Sequence, residues 1–210
     1  DSSEMIVFDH RKCIQCGRCV AACNQVVVNE VLGMGRRGFE AKVVCDLDQP
    51  WMALDLGEAP ALPPAPSGFT IAPALDDAAR SQWAETMTAG YDLPPARREL
   101  AALNWARLLR IAAPETIAYT AFIDGEPAAT AVLHLGAGVG GLSAVGTLPR
   151  FRRQGIGACI TVVALREARV RGCRLAALTA SGMGEPLYRR LGFREYCRQR
   201  SWVWRPGWRG

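Results

Sequence analysis

The stretch TLPRFRRQGIGACI, residues 147–160, constrains the fold more than any other part of the chain. It runs from a strand-like end into an apolar helix through the pattern Arg152-x-x-Gly155-x-Gly157. The first N–H groups of a helix lack intrahelical partners and stand at the positive end of its dipole, so a helix opened in this way is a site for phosphate. Glycine at 155 and 157 keeps side chains out of the way of an approaching ligand, and Arg152 and Arg153 add positive charge.

Two other stretches serve as controls. GMGRRG at 33–38 and GAGVGG at 136–141 both match the G-x-G-x-x-G dinucleotide expression. The first leads into FEAKVV and the second into LSAVGTL, both strand-like, so neither opens a helix and both read as loops between strands.

The neighbouring pattern supplies the rest of a domain. GFTIAPA reads as a strand, and DDAARSQWAETMTAG as a helix capped by Asp76 or Asp77. PPARRELAALNWARLLRI reads as a second helix opened by prolines. IAYTAFID and PAATAVLHL form a hairpin through Asp124-Gly125-Glu126, and GLSAVGTL is a further strand. Residues 155–171 form a helix that stops at Gly172; RLAALTA is a short buried strand, PLYRRLG a short helix, and EYCRQRSWVW a last strand. The expected class is α/β (α+β), a mixed, mostly antiparallel sheet flanked by helices, with a small cysteine-rich segment before it.

A chain of 210 residues suffices for one ordinary domain and a smaller module. APALPPAPSG, residues 59–68, has the composition of a semi-rigid linker. The expected organisation is a cysteine-rich segment at 1–51, a proline-rich linker at 52–68 and the main domain at 69–210. Met52 stands just before the prolines, which suggests that the first 51 residues were joined to a protein that once began there.

No run of eighteen apolar residues occurs, and DSSEMIVFDHRK lacks the order of a secretory signal, so a cytoplasmic protein without a membrane span is expected. Eight cysteines in such a chain point to metal ligands or free thiols. Residues 139–210 carry fourteen basic side chains, all arginine, against three acidic ones. Such a field suits a phosphate-bearing cofactor or a nucleic acid.

TLPRFRRQGIGACITVVALREARVRGC, followed by LAALTASGMGEPLYRRLGF, resembles the core of the GNAT family of acetyl-CoA-dependent N-acetyltransferases, over roughly residues 69–204. The resemblance implies acetyl transfer from acetyl-CoA to a small amine or a protein amino group by direct attack on the thioester. It implies that backbone groups at Thr147 and Leu148 pair with the pantetheine arm. Amides from Arg152 to Ala158, through Arg153, Gln154, Gly155, Ile156 and Gly157, would hold the pyrophosphate. Tyr188 takes the place of the tyrosine that donates a proton to the departing thiolate. Two departures stand out. GLSAVGTL has no acidic residue where many relatives place a glutamate, so His134 and Glu126 are base candidates by chemical type alone, with structural roles the competing reading. Ser181 stands where an asparagine often precedes the tyrosine by seven positions.

CIQCGRCVAAC spaces Cys13, Cys16, Cys19 and Cys23 as iron-sulfur clusters require. Residues 5–51 resemble the first cluster-binding stretch of the ferredoxin-like region in formate dehydrogenase and hydrogenase subunits. The resemblance implies a 4Fe–4S site, incomplete as encoded, because no second four-cysteine run follows; Cys13, Cys16 and Cys19 would need a fourth ligand from Cys23, Cys45, a partner chain or a second copy. Asn24 replaces the proline usual after the fourth cysteine.

The readings that compete with an acetyltransferase are an iron-sulfur electron-transfer module with a fused acetyltransferase domain, and nucleic-acid binding by the arginines with Trp202, Trp204 and Trp208 as stacking surfaces. Coenzyme A accounts for the same arginines, so nucleic acid is the weaker partner. A homo-oligomer is compatible with the sequence.

Overall fold

The computed structural model describes residues 47–93 and 95–201. Cys13, Cys16, Cys19, Cys23, Cys45 and the three C-terminal tryptophans lie outside them. Residues 50–197 form one compact unit; the few described residues beyond are the outer ends of its first and last strands.

The elements in chain order are β1 Leu47–Asp55, β2 Phe69–Pro73, α1 Asp77–Gly90, α2 Pro95–Ile111, β3 Thr116–Ile123, β4 Glu126–Gly136, β5 Val139–Thr147, α3 Ile156–Val170, β6 Leu175–Thr179, α4 Glu185–Arg190 and β7 Arg194–Ser201. They make a seven-stranded sheet of order β2-β3-β4-β5-β6-β1-β7. The expected mixed fold with helices on a mostly antiparallel sheet is thus the observed one; β5 and β6 pair in parallel.

Local chemistry explains the boundaries. Asp76 caps α1 by accepting the Ala79 N–H at 2.8 Å. The β3–β4 turn places Asp124 and Gly125 at φ 50° and 81°, the left-handed pair that tight hairpins require. Gly172, at φ 83°, ends the chain's turn after α3.

The larger core lies between the sheet and α3 with α4, and is rich in alanine: Ala121, Ala128, Ala129, Ala131, Ala164, Ala168, Ala176 and Ala180 are all fully buried. Small side chains let the apolar helix α3 lie close on the strands, where Ile156, Ile160 and Leu165 fill the gap. A smaller core on the other face gathers Trp83, Ala84 and Met87 of α1 with Ala102 of α2, Ala118 and Val132.

Residues 52–58 differ from the linker expected of them. They are the second half of β1 and a 3-10 turn at Leu56–Glu58, and β1 pairs antiparallel with β6 from Trp51–Thr179 to Asp55–Leu175. Met52, Leu54 and Leu56 alternate inward and are 1, 3 and 1% exposed. The prolines that follow have no regular structure, but they lie on α3: the Cys159 thiol is 3.9 Å from the carbonyl oxygens of Pro63 and Pro64. The chain from Met52 to the prolines therefore belongs to the same sheet and core as the rest of the unit.

Candidate coenzyme site

Two features of β5 open the sheet. Thr130 pairs with Gly146 and Val132 with Ser143, so Ala144 and Val145 together oppose Ala131 in a β-bulge, with Ala144 at φ 49°. Pairing of β5 with β6 runs only from Val139–Leu175 to Leu142–Leu178. Beyond Leu142, on reaching the bulge, β5 leaves its parallel neighbour, and the rest of it borders an opening in the sheet. The loop expected to bind phosphate begins where β5 ends.

In that loop the backbone alternates in hand, with Arg153 at φ 65° and Gly155 at φ 82° heading α3. Such alternation is the backbone pattern of nests, in which successive N–H groups converge. The amides of Arg153, Gln154, Gly155, Ile156 and Gly157 donate to no acceptor among the described residues. The ends of the expected set are engaged elsewhere: Arg152 N–H donates to Pro149 O at 3.2 Å and Ala158 N–H to Gly155 O at 2.9 Å. Gly155 needs glycine for its backbone. A Cβ at Gly157 would sit 3.5 Å from Thr147 Oγ1 and 3.5 Å from Leu187 Cδ2, ordinary contact. That residue marks where the end of β5, the head of α3 and α4 meet.

At Thr147 and Leu148 some backbone capacity is already used. Leu148 N–H donates to Ala128 O at 2.9 Å, and Thr147 O accepts from Arg152 Nε at 3.1 Å. Leu148 O also accepts from Phe151 N–H at 2.9 Å, so each of the two carbonyl oxygens has its second lone pair left for a ligand.

The two arginines of the motif differ in kind. Arg153 has no ion-pair partner among the described residues, whereas Arg152 reaches Gly90 O at 2.9 Å and Asp92 Oδ2 at 2.8 Å in addition to Thr147 O. Arg152 thus ties the end of α1 to the end of β5.

Tyr188 sits on α4 and is 6% exposed, its ring edge-on to Phe193 at 5.7 Å. Its hydroxyl makes no hydrogen bond among the described residues. Burial pushes the phenol well above its ordinary range, and Tyr91 raises it further. Ser181 opens α4: its Oγ accepts from Gly184 N–H at 3.2 Å and its carbonyl from Glu185 N–H at 2.8 Å. The Ser181 hydroxyl thus helps to close the turn that precedes α4.

The base candidates are held by other side chains. His134 is held between Thr116 Oγ1 at 3.2 Å and Ser143 Oγ at 2.9 Å, and burial lowers its pKa. It pairs with Gly141 while Ala129 pairs with Thr147, five positions along β4, or about 17 Å at strand rise. Glu126 is bound to Arg150.

Tyr91 escaped the sequence reading. It follows α1, and its ring lies over Gly146, where a Cβ would come within 3.0 Å of Tyr91 Cε2. Burial raises its phenol, and its field reaches Tyr188. The only signal was an aromatic directly after the helix, in AGYDLPP.

Two cavities lie elsewhere. One of about 440 Å³ lies between α1 and α2, lined by Glu85, Arg98 and Leu103 among others; the other, about 530 Å³, is lined by Arg80, Arg110, Tyr119, Glu167 and Arg171. Among the described residues no group of three or more histidine, cysteine or acidic side chains could hold a metal ion, and no helix is long and apolar enough to cross a membrane.

A family model described as Acetyltransferase (GNAT) family matches residues 76–193. A GCN5-related N-acetyltransferase from Kribbella flavida is 25% identical with a TM-score of 0.59; the match covers 89% of this chain and 64% of that one. For a GCN5-related N-acetyltransferase from Sphaerobacter thermophilus the identity is 26%, the TM-score 0.56 and the coverage 76% of this chain and 51% of that one. The chain thus spans between half and two thirds of the length of these two. Glucosamine-6-phosphate N-acetyltransferase from Arabidopsis thaliana, at 15% identity, TM-score 0.50 and coverage of 62% and 95%, shares the fold. No curated protein matches the sequence.

Proposed function

The chain belongs to the GNAT acetyltransferase family, and from that premise we propose that it transfers the acetyl group of acetyl-CoA to an amine by direct attack on the thioester. The observation that carries this reading is the run of unpartnered amides from Arg153 to Gly157 at the head of α3, beside the opening between β5 and β6. In this reading those amides and the Arg153 guanidinium hold the pyrophosphate. The pantetheine arm runs along β5 past Thr147, which brings the thioester to the bulge and to Tyr188.

The chemistry needs one proton removed and one supplied. The amine nitrogen attacks the carbonyl carbon, the C–N bond forms, and the C–S bond breaks. The nitrogen loses a proton, the sulfur gains one, and the products are an N-acetyl amide and free coenzyme A. Tyr188 O–H is directed to the leaving sulfur in this reading. His134 and Glu126 are each engaged by other side chains, so in this reading the amine loses its proton to water or arrives neutral. The acceptor is a small-molecule amine or a protein amino group.

Acetyl-CoA at a hundredfold excess over its Kd should raise Tm by roughly 5–10 °C for a domain of this size. Gly155→Val, which forces a branched side chain to φ 82°, should abolish the shift. An unshifted melting curve at millimolar acetyl-CoA would sink the reading.

A further inference from the structure

Arg152 stands first in the loop motif, yet its guanidinium is already committed on two sides. Nη2 donates to Gly90 O at 2.9 Å and Asp92 Oδ2 at 2.8 Å, and Nε donates to Thr147 O at 3.1 Å. All three acceptors are protein groups, and two belong to the turn that ends α1. That turn is tightly closed: Tyr91 N–H donates to Met87 O at 3.0 Å, Asp92 N–H to Ala89 O at 3.2 Å and Leu93 N–H to Thr88 O at 3.2 Å, with Asp92 itself at φ 54°. It is also pressed against β5, because a Cβ at Gly90 would lie 3.4 Å from Gly146 C and Thr147 N. The residue carried between the two Arg152 acceptors is Tyr91, whose ring covers Gly146.

We propose that Arg152 is a positioning residue rather than a phosphate ligand: it fastens the end of α1 to the end of β5, which holds Tyr91 across the opening from Tyr188 as the wall against which the acceptor amine is presented. The charge that meets phosphate then comes from Arg153, the motif arginine with no ion-pair partner among the described residues. A fork is needed, because one group must reach a carboxylate and two carbonyls at once, which an ammonium cannot do in this geometry. The wall is continuous with the coenzyme loop through a single side chain, so the loop and the acceptor side move as one body. The assignment of the wall to the acceptor rests on the acetyltransferase reading; the fastening itself does not.

The test compares Arg152→Met, Arg152→Lys and Arg153→Met in the full chain. Hydrogen exchange at residues 91–93 reads the fastening, calorimetric titration with coenzyme A reads the phosphate site, and thiol release from acetyl-CoA with hydroxylamine as acceptor reads turnover. Arg152→Met should speed exchange at 91–93 by about ten- to a hundredfold, as expected for lost bonds to a charged group. It should change coenzyme affinity less than about threefold and lower kcat with hydroxylamine; Arg152→Lys should recover only part of the protection. Arg153→Met should do the reverse, weakening coenzyme A by about tenfold with exchange unchanged. The proposal is overturned if Arg152→Met weakens coenzyme A as much as Arg153→Met does, or leaves exchange at 91–93 as in the parent. If the parent chain binds no coenzyme A, the acetyltransferase reading fails, while the exchange measurement still decides the fastening.

Discussion

Tyr188 is assigned to the leaving sulfur, and its environment decides how it can help. Burial raises the phenol well above its ordinary value of 10.0, so it is a weaker acid than a thiol, whose usual pKa is about 8.5. In the proposed reaction full proton transfer to the thiolate would therefore be uphill, and the hydroxyl would act as a hydrogen-bond donor to the charge that grows as the C–S bond breaks. Tyr188→Phe should lower kcat by about a hundredfold and leave coenzyme affinity within a factor of about two. The sign of the pKa shift adds a pH condition. Because the neutral form persists past pH 10, the ratio of parent to variant rates should stay constant from about pH 6 to 10. Convergence of the two profiles within that range would remove Tyr188 from the step. Gly155 at the head of α3 and Tyr188 on α4 stand where the contiguous motifs place them. The engagement of Arg152 could not be read from the sequence, since its carboxylate partner Asp92 is 60 residues away in the chain and nothing local marks the pair.

The contact of α3 with β5 shows what the elements demand of single residues. GAGVGG reads as a loop between strands, but only Ala137 and Gly138, at φ 49° and 75°, lie between β4 and β5; Gly136 ends β4 and Val139 to Gly141 begin β5. The reason for its inner glycine is a matter of packing that sequence spacing does not reveal. A Cβ on Gly140 would lie 2.7 Å from Ala168 Cβ and 3.3 Å from Leu133 Cδ1. Ala168 has no rotamer to yield, so helix and strand would have to part. Gly140→Ala should cost about 1–3 kcal/mol of unfolding free energy, read as a lower urea midpoint at unchanged slope. The double variant Gly140→Ala with Ala168→Gly should recover much of that loss. A single variant as stable as the parent would show that α3 rests on β5 less closely than the buried alanines imply. The elements were legible through alternation, the Asp76 cap and the Asp124-Gly125 turn, whereas the distance between two packed layers is set by residues far apart in sequence.

At the scale of the whole molecule, β1 decides where the folding unit begins. Its pairing partner β6 starts 120 residues after Asp55, its direct mate being Leu175, and Pro50 together with the proline run hides a short strand from any local reading. Alternation at Met52, Leu54 and Leu56 was present, but a five-residue pattern before prolines is weak without knowledge of the partner. In the sheet β1 lies between β6 and β7, so removing β1 and the turn after it leaves both without their common neighbour and takes three buried side chains, Met52, Leu54 and Leu56, out of the core. Fully burying an aliphatic side chain of this kind contributes about 1.5–3 kcal/mol. Three of them, with a lost ladder on each side, match the 5–15 kcal/mol of stability typical of a whole domain. A chain shortened to begin at Phe69 should therefore lose cooperative thermal unfolding as followed by circular dichroism. Adding a synthetic peptide spanning residues 47–58 should restore part of the transition in a concentration-dependent manner, because the strand's place in the sheet is left vacant by the truncation. If the shortened chain melts as sharply and at the same temperature as the parent, the boundary at the proline run is the true one and β1 adds nothing to the core.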